Sequence, residues 1–244
     1  MMMSTLRPSL PELRFAVLLI TLALLGSEGP LAAQSLAGTT GLVAIPTAHM
    51  PRDGTVALGV NHIDRRHHGY DNPGYDEHSG LVEYASIGFL PFVEVGLRLT
   101  RVVGVPRLAL GDRMVSVRLR LVDEGARTPA VVVGAHDLVG TRRFHTVYAV
   151  ASRSVAGVRG VGDVSAHLGV GGDPLGLGLR SRGLRGAFGG VSVSPVPPIA
   201  LMAEYDGGQV NAGVRLRLGR FALLAAAQDL EGFSGGLSYT QPLH

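Results

Sequence analysis

Four histidines, His62, His67, His68 and His78, fall in or beside one polar stretch, residues 64–79, that also holds Asp64, Asp71, Asp76 and Glu77. Imidazole nitrogens and carboxylate oxygens are donors that divalent metals take, so this stretch is the candidate metal site of the chain. Its spacing matches no ligand motif, and a solvated polar loop accounts for the same composition without a metal. Glu94 and Glu204 form a second candidate, a carboxylate pair for general acid–base work. Among arginines they read instead as salt-bridge partners, because an unpaired buried charge is costly. Acyl transfer would need a serine, a histidine and a polar orienting partner on one rim. Ser152, Ser154, Ser165 and Ser192 are available with His136, His145 and His167, yet their spacing selects no triad. The glycine repeats at 169–172 and 176–178 lack the Gly-Lys-Ser/Thr ending and a following helix, so they read as bends, not phosphate loops. No enzymatic activity and no cofactor is expected of this chain.

The elements that must hold these residues are strands. Residues 92–100, FVEVGLRLT, alternate without a fault: Val93, Val95, Leu97 and Leu99 on one face, Glu94, Gly96, Arg98 and Thr100 on the other. Side chains on a strand switch faces at every residue, so the segment has one apolar and one charged face. The same register recurs in RMVSVRLRL (113–121) and VNAGVRLRL (210–218). It places Glu94, Arg98, Arg118, Arg120, Glu204, Arg215 and Arg217 mid-strand on the polar face. In a soluble sandwich that face meets water; in a membrane barrel it lines the lumen while the apolar face meets lipid.

Arg7 and Arg14 precede an apolar run at 15–25, followed by a Gly/Ser/Pro segment and Leu31-Ala32-Ala33-Gln34. This is the pattern of a cleaved signal peptide over 1–33, and eleven helical residues rise only about 16 Å, too little for a hydrocarbon core of about 30 Å. Beyond it no apolar run nears the length of a helical span, so any span is made of strands. The chain has no cysteine, which removes disulfides, thiolate sites and a lipid-modified cysteine, and suits the Gram-negative envelope. All 22 basic residues are arginine, whose planar donors fit carboxylate pairs. A net charge of +3 and 5% aromatic content do not point to nucleic acid.

Residues 38–53 form an extended, proline-punctuated lead-in that runs inside or along a barrel, since Pro46 and Pro51 cannot donate to a ladder. Strands are expected at 55–63, 81–90, 92–102, 113–121, 129–138, 144–154, 164–170, 185–195, 199–205, 210–218, 221–229 and 233–240. In 144–154 Tyr148 and Val150 oppose Val147, Ala149 and Ala151, so its orientation is weakly specified. The loop 64–79, long for a hairpin, is expected on the outer, functional side. With 35 glycines marking bends, the reading is an all-β protein: a transmembrane, antiparallel, up-and-down barrel of about twelve strands at 54–244, after the signal peptide and a lead-in at 34–53. The alternative is an exported β-sandwich or solenoid.

The lead-in GTTGLVAIPTAHMPRDGTVALGV (38–60), the hairpin GFLPFVEVGLRLTRV (88–102) and the run DRMVSVRLRLVDEGARTPAVVVGAHDLVGT (112–141) resemble the YjbH-like outer-membrane proteins of exopolysaccharide biosynthesis. Weaker similarity continues through PPIALMAEYD and VNAGVRLRLG. The resemblance implies a non-catalytic outer-membrane barrel serving export or surface assembly of an exopolysaccharide. Its partners would be outer-membrane lipid, the polysaccharide and other export proteins. Members of that group are often longer, with more than one barrel-like region. The end SYTQPLH lacks the terminal aromatic usual in bacterial barrels, although Leu237 and Tyr239 keep the alternation. An adhesive envelope barrel acting through its outer loops, and a barrel lipid hydrolase, are the competing functions.

Overall fold

A computed structural model describes residues 33–69, 77–105, 110–178 and 183–243, and the predicted signal peptide, Ala33 apart, lies outside them. The chain forms β1 (Thr55–Ile63), β2 (Gly80–Phe89), β3 (Val93–Val102), β4 (Leu110–Val122), β5 (Ala130–Gly140), β6 (Thr146–Val158), β7 (Gly162–Gly172), β8 (Gly186–Val196), β9 (Ile199–Tyr205), β10 (Val210–Leu218), β11 (Phe221–Gln228) and β12 (Gly232–Pro242). Each pairs antiparallel with its successor, and β1 pairs with β12 from Thr55↔Pro242 to His62↔Gly235, which closes the barrel. Strands β1, β9 and β10 have the expected bounds. The largest shift is in β6. Its start is delayed because the Phe144 amide donates to Asp137 Oδ2 (3.1 Å) at the preceding corner, and its end extends through an irregular pairing of Val158 with Gly162.

One mouth carries the turns after β2, β4, β6, β8 and β10, and most of these are tight. The other carries the connections after β1, β3 and β7, which are longer. These are the turn side and the loop side below.

Alternation sorts the wall into two faces. On β3 Glu94, Arg98 and Thr100 are buried inside, while Leu97 is 49% exposed on the outside. The core lies within the barrel, where Val82, Tyr84, Val132, Tyr148, Val150, Phe188 and Met202 pack with Leu36, Leu42, Val43 and Ile45 of the lead-in. The lead-in thus supplies part of the apolar interior.

Three inward aromatic rings each lie over a glycine on the paired strand. Tyr84 faces Gly59, Tyr148 faces Gly134 and Phe188 faces Gly169. A Cβ at these glycines would sit 2.3, 2.5 and 2.3 Å from ring atoms, so the missing side chain is the space the ring occupies. This partnership fixes the orientation that alternation left open in β6: Tyr148 and Val150 point inward and Val147 outward. Replacing Gly134 with valine must displace Tyr148, and overpacking of this kind costs about 1–3 kcal/mol. We expect Gly134→Val to lower the urea midpoint of the barrel in detergent, while Gly172→Ala, with nothing within 4 Å, leaves it unchanged.

Candidate functional site

Residues 33–53 fold back on themselves inside the lumen as a plug. Two isolated bridges, Gln34↔Thr40 and Gly41↔Pro46, and amide bonds such as Leu36 N–H to Val43 O (2.8 Å) hold the segment compact. An irregular backbone leaves many peptide groups without ladder partners, and in a closed interior each needs one from the wall. The inward charges supply them.

Glu204 on β9 accepts the amides of Val43 (2.9 Å), Ala44 (2.7 Å) and Ile45 (3.4 Å), and Nδ2 of Asn211 (3.0 Å). Three successive N–H groups converging on one carboxylate form an anion-binding nest, here closed on the protein's own side chain. Arg215 on β10 does the reverse, donating to the carbonyls of Gln34 (3.0 Å), Gly41 (3.1 Å) and Leu42 (2.8 Å). Glu94 on β3 accepts from the amide (3.0 Å) and hydroxyl (3.2 Å) of Thr40 and pairs with Arg118, its cross-strand neighbour on β4. Both partners of that ion pair are fully buried, and Arg118 also donates to the carbonyls of Thr47 and His49.

Smaller polar groups complete the clamp. Asn61 donates to the carbonyls of Ser35 (3.3 Å) and Leu36 (3.1 Å). Ser152 Oγ accepts the Ala48 amide (2.7 Å) and lies 2.7 Å from His167 Nδ1. His49 Nε2 lies 3.1 Å from Ser154 Oγ, which in turn takes a hydrogen bond from Ser165. Sequence reasoning did not single out Asn61 and Asn211, and weighed Ser152 and His167 only for catalysis. Ser152 is buried beneath the plug, and its hydroxyl is engaged in anchoring it.

The other predicted lumen residues have separate places. Arg98 donates through Nε to Thr100 Oγ1 (3.2 Å) and stacks over the Phe144 ring at 4.7 Å. Arg120 sits at the turn-side rim, bonded to Asp123 (2.8 Å) and the Pro91 carbonyl, and Arg217 is only partly buried near the same mouth. Above the plug, toward the loops, a cavity of about 420 Å³ is lined by Leu36 and Ala44 of the plug with Arg98, His136, Phe144 and Gln228 of the wall.

The histidines of the candidate metal stretch are dispersed. His62 points outward from β1, His67 packs against Gly232, His68 is fully buried against Gly80, and His78 lies against Gly104. Asp71 and Asp76 lie outside the described residues, and among the described residues no three His, Asp or Glu side chains converge on one point.

Residues 33–213 match the YjbH family, described as "Exopolysaccharide biosynthesis protein YbjH". The chain belongs to the YjbH family. The match begins at the plug and ends within β10, so the YjbH-family region takes in the plug together with most of its clamps. The uncharacterized lipoprotein YjbH of Escherichia coli (strain K12) is 32% identical over 130 residues, 50% of this chain and 17% of that protein. The chain therefore spans less than a fifth of that relative. A de novo designed transmembrane β-barrel covers 79% of this chain and is itself covered in full, with a TM-score of 0.27 and 10% identity.

Truncating one partner of a fully buried ion pair strands the other charge, at a cost of about 3–5 kcal/mol. We expect Glu94→Ala to destabilise the YjbH-family barrel on that scale in urea titrations and Glu94→Gln to cost less, because the amide still accepts from Thr40.

The plug also carries a titratable contact. Burial pushes the His49 imidazole below its ordinary 6.5, Glu124 opposes this, and Arg118 and Arg217 lower it further. The docked ring favours the neutral form, so its contribution is complete above pH 6.5 and is lost as pH falls from there through the docked value. Hydrogen exchange at residues 47–50 should be faster, relative to the intrinsic rate, at pH 5 than at pH 7.5, and His49→Gln should flatten that difference.

Proposed function

We propose that this YjbH-family chain is a plugged, non-catalytic outer-membrane barrel that takes part in export or surface assembly of an exopolysaccharide. The observation that carries the reading is the inversion of the wall: charges are buried inside while large apolar side chains cover the outside. Leu58, Leu119, Val139, Leu168, Leu201 and Leu223 are each 41% to 69% exposed on different strands. An apolar surface running round a whole molecule belongs against lipid, since soluble monomers rarely expose apolar patches beyond a few hundred Å². Phe89 on β2, Phe92 in the turn after it, Phe221 on β11 and Tyr239 on β12 gather near the turn-side mouth, where an aromatic girdle meets an interface. Short turns on one side and longer loops on the other fit a barrel whose loops face outward.

The family description supports the polysaccharide connection, and the name of the Escherichia coli relative, a lipoprotein, supports a membrane location. None of the 244 residues here is cysteine, so within this chain membrane contact rests on the barrel wall. The plug occupies the lumen on the turn side of the cavity lined by Leu36 and Ala44, so the role is one of a surface or assembly component until the plug is displaced.

The test combines fractionation with genetics. The protein should be found in the outer-membrane fraction and migrate differently on gels with and without boiling, as a closed barrel does. Deleting the gene should abolish surface polysaccharide while leaving small-solute permeability unchanged. A soluble periplasmic protein without a heat-dependent shift would remove the membrane reading. Normal polysaccharide with loss of surface binding would favour an adhesive role through the loops.

A further inference from the structure

The outer faces of β3, β4 and β5 form one lane whose composition changes abruptly along its height. From the turn side upward it is built from Val93, Val95, Leu97 and Leu99 on β3, Val115, Val117, Leu119 and Leu121 on β4, and Val131, Val133 and Val139 on β5. At the loop side the lane ends in arginine. Arg101 is the next-to-last residue of β3, just past an irregularity in the pairing, and Arg113, the fourth residue of β4, lies opposite Leu99, two residues before Arg101 on the same outer face. Arg142 follows in the corner after β5, one residue beyond Thr141, whose amide donates to the Arg113 carbonyl (3.2 Å).

Arginines outnumber carboxylates at this edge. Glu83, the one outward carboxylate among the described residues of the strands β2 to β5, pairs with Arg101, and Glu77 is exposed in the connection before β2. Arg113 and Arg142 are exposed, and neither has a side-chain hydrogen bond or ion pair among the described residues. Charges on a lipid-facing wall are tolerated near the interface and disfavoured at the bilayer centre. Cations above an unbroken apolar lane therefore mark the level of lipid headgroups.

We propose that this lane is a binding site for a phosphorylated, multiply acylated glycolipid of the outer leaflet. Its acyl chains lie along the valine and leucine lane, and its phosphates are held by the guanidinium forks of Arg113 and Arg142, with Arg101 braced by Glu83. A planar fork matches a phosphate with two parallel hydrogen bonds, which an ammonium cannot do. A soluble anion would gain nothing from the lane, and a neutral lipid nothing from the arginines, so the two features together select an anionic amphiphile. The inference rests on the outer-membrane reading and adds a ligand to it.

The test is lipid retention by the full chain in nanodiscs of phosphatidylcholine doped with diphosphorylated lipid A or with its dephosphorylated form, read by native mass spectrometry. We expect the phosphorylated lipid to be retained about tenfold more. The Arg113→Gln/Arg142→Gln double variant should lose that preference. Arg153→Gln, an arginine that binds the Gly125 and Ala126 carbonyls at the turn side, should keep it. The heat-dependent gel shift reports whether each variant is folded, and if the double variant fails to fold, the comparison of the two lipids on the unaltered chain decides. Equal retention of both lipids, or an unchanged preference in a folded double variant, overturns the site while leaving the membrane reading intact. Failure of the unaltered chain to insert and shift removes both.

Discussion

Everything inside this barrel follows from the cost of leaving a charge or a peptide group unpaired away from water. Glu94, Arg118, Glu204 and Arg215 are nearly or wholly buried, and each meets backbone of the plug. The plug, in turn, is too irregular to satisfy its own amides and carbonyls. Each half satisfies polar groups that the other would leave unpaired at a cost. Carboxylates take the N–H groups and guanidinia take the carbonyls, so the sign of each lumen charge is dictated by which end of the peptide dipole faces it.

Packing obeys the same economy of space. Where a ring must point inward, the opposite strand carries glycine, and where the plug approaches the wall, glycine again gives way. A Cβ on Gly213 would sit 2.7 Å from Val43 and one on Gly190 2.8 Å from Leu42. Many of the glycines are therefore negatives of the rings and plug residues that face them.

The strands were legible because alternation is a local signal, strong in residues such as 93–100 and 113–121, where apolar and charged positions differ sharply. The same register puts Glu94, Arg118, Glu204 and Arg215 on the polar face of their strands, and closure of the barrel turns that face inward. Their partners did not, because they lie far away in sequence: Glu204 and Val43 are 161 residues apart, and no pattern in either segment names the other. Parity also says nothing of height, which is why Arg120 and Arg217 share the inward register yet sit toward the turn-side mouth. The histidines misled in the opposite way. Closeness in sequence suggested closeness in space, but His62 is next to last in β1 on its outer face, while His67, His68 and His78 lie against Gly232, Gly80 and Gly104. Asn61, Asn211 and Ser152 gave no signal beyond an inward position, since an amide or hydroxyl in a strand has many uses.

The path of the plug has a topological consequence. Ala33 lies beside Gly219, Phe221 and Thr240 at the turn-side mouth, and Pro51 and Arg52, at the other end of the same segment, lie against Gly88 at that mouth. Among the described residues the segment therefore begins and ends at one mouth, as a re-entrant loop that does not thread from one opening to the other. A threaded chain could be withdrawn only by pulling a free end through the whole lumen or by parting the β1–β12 seam. A loop inserted from one side can come out by the way it went in, with the ring of strands intact and no knot to undo.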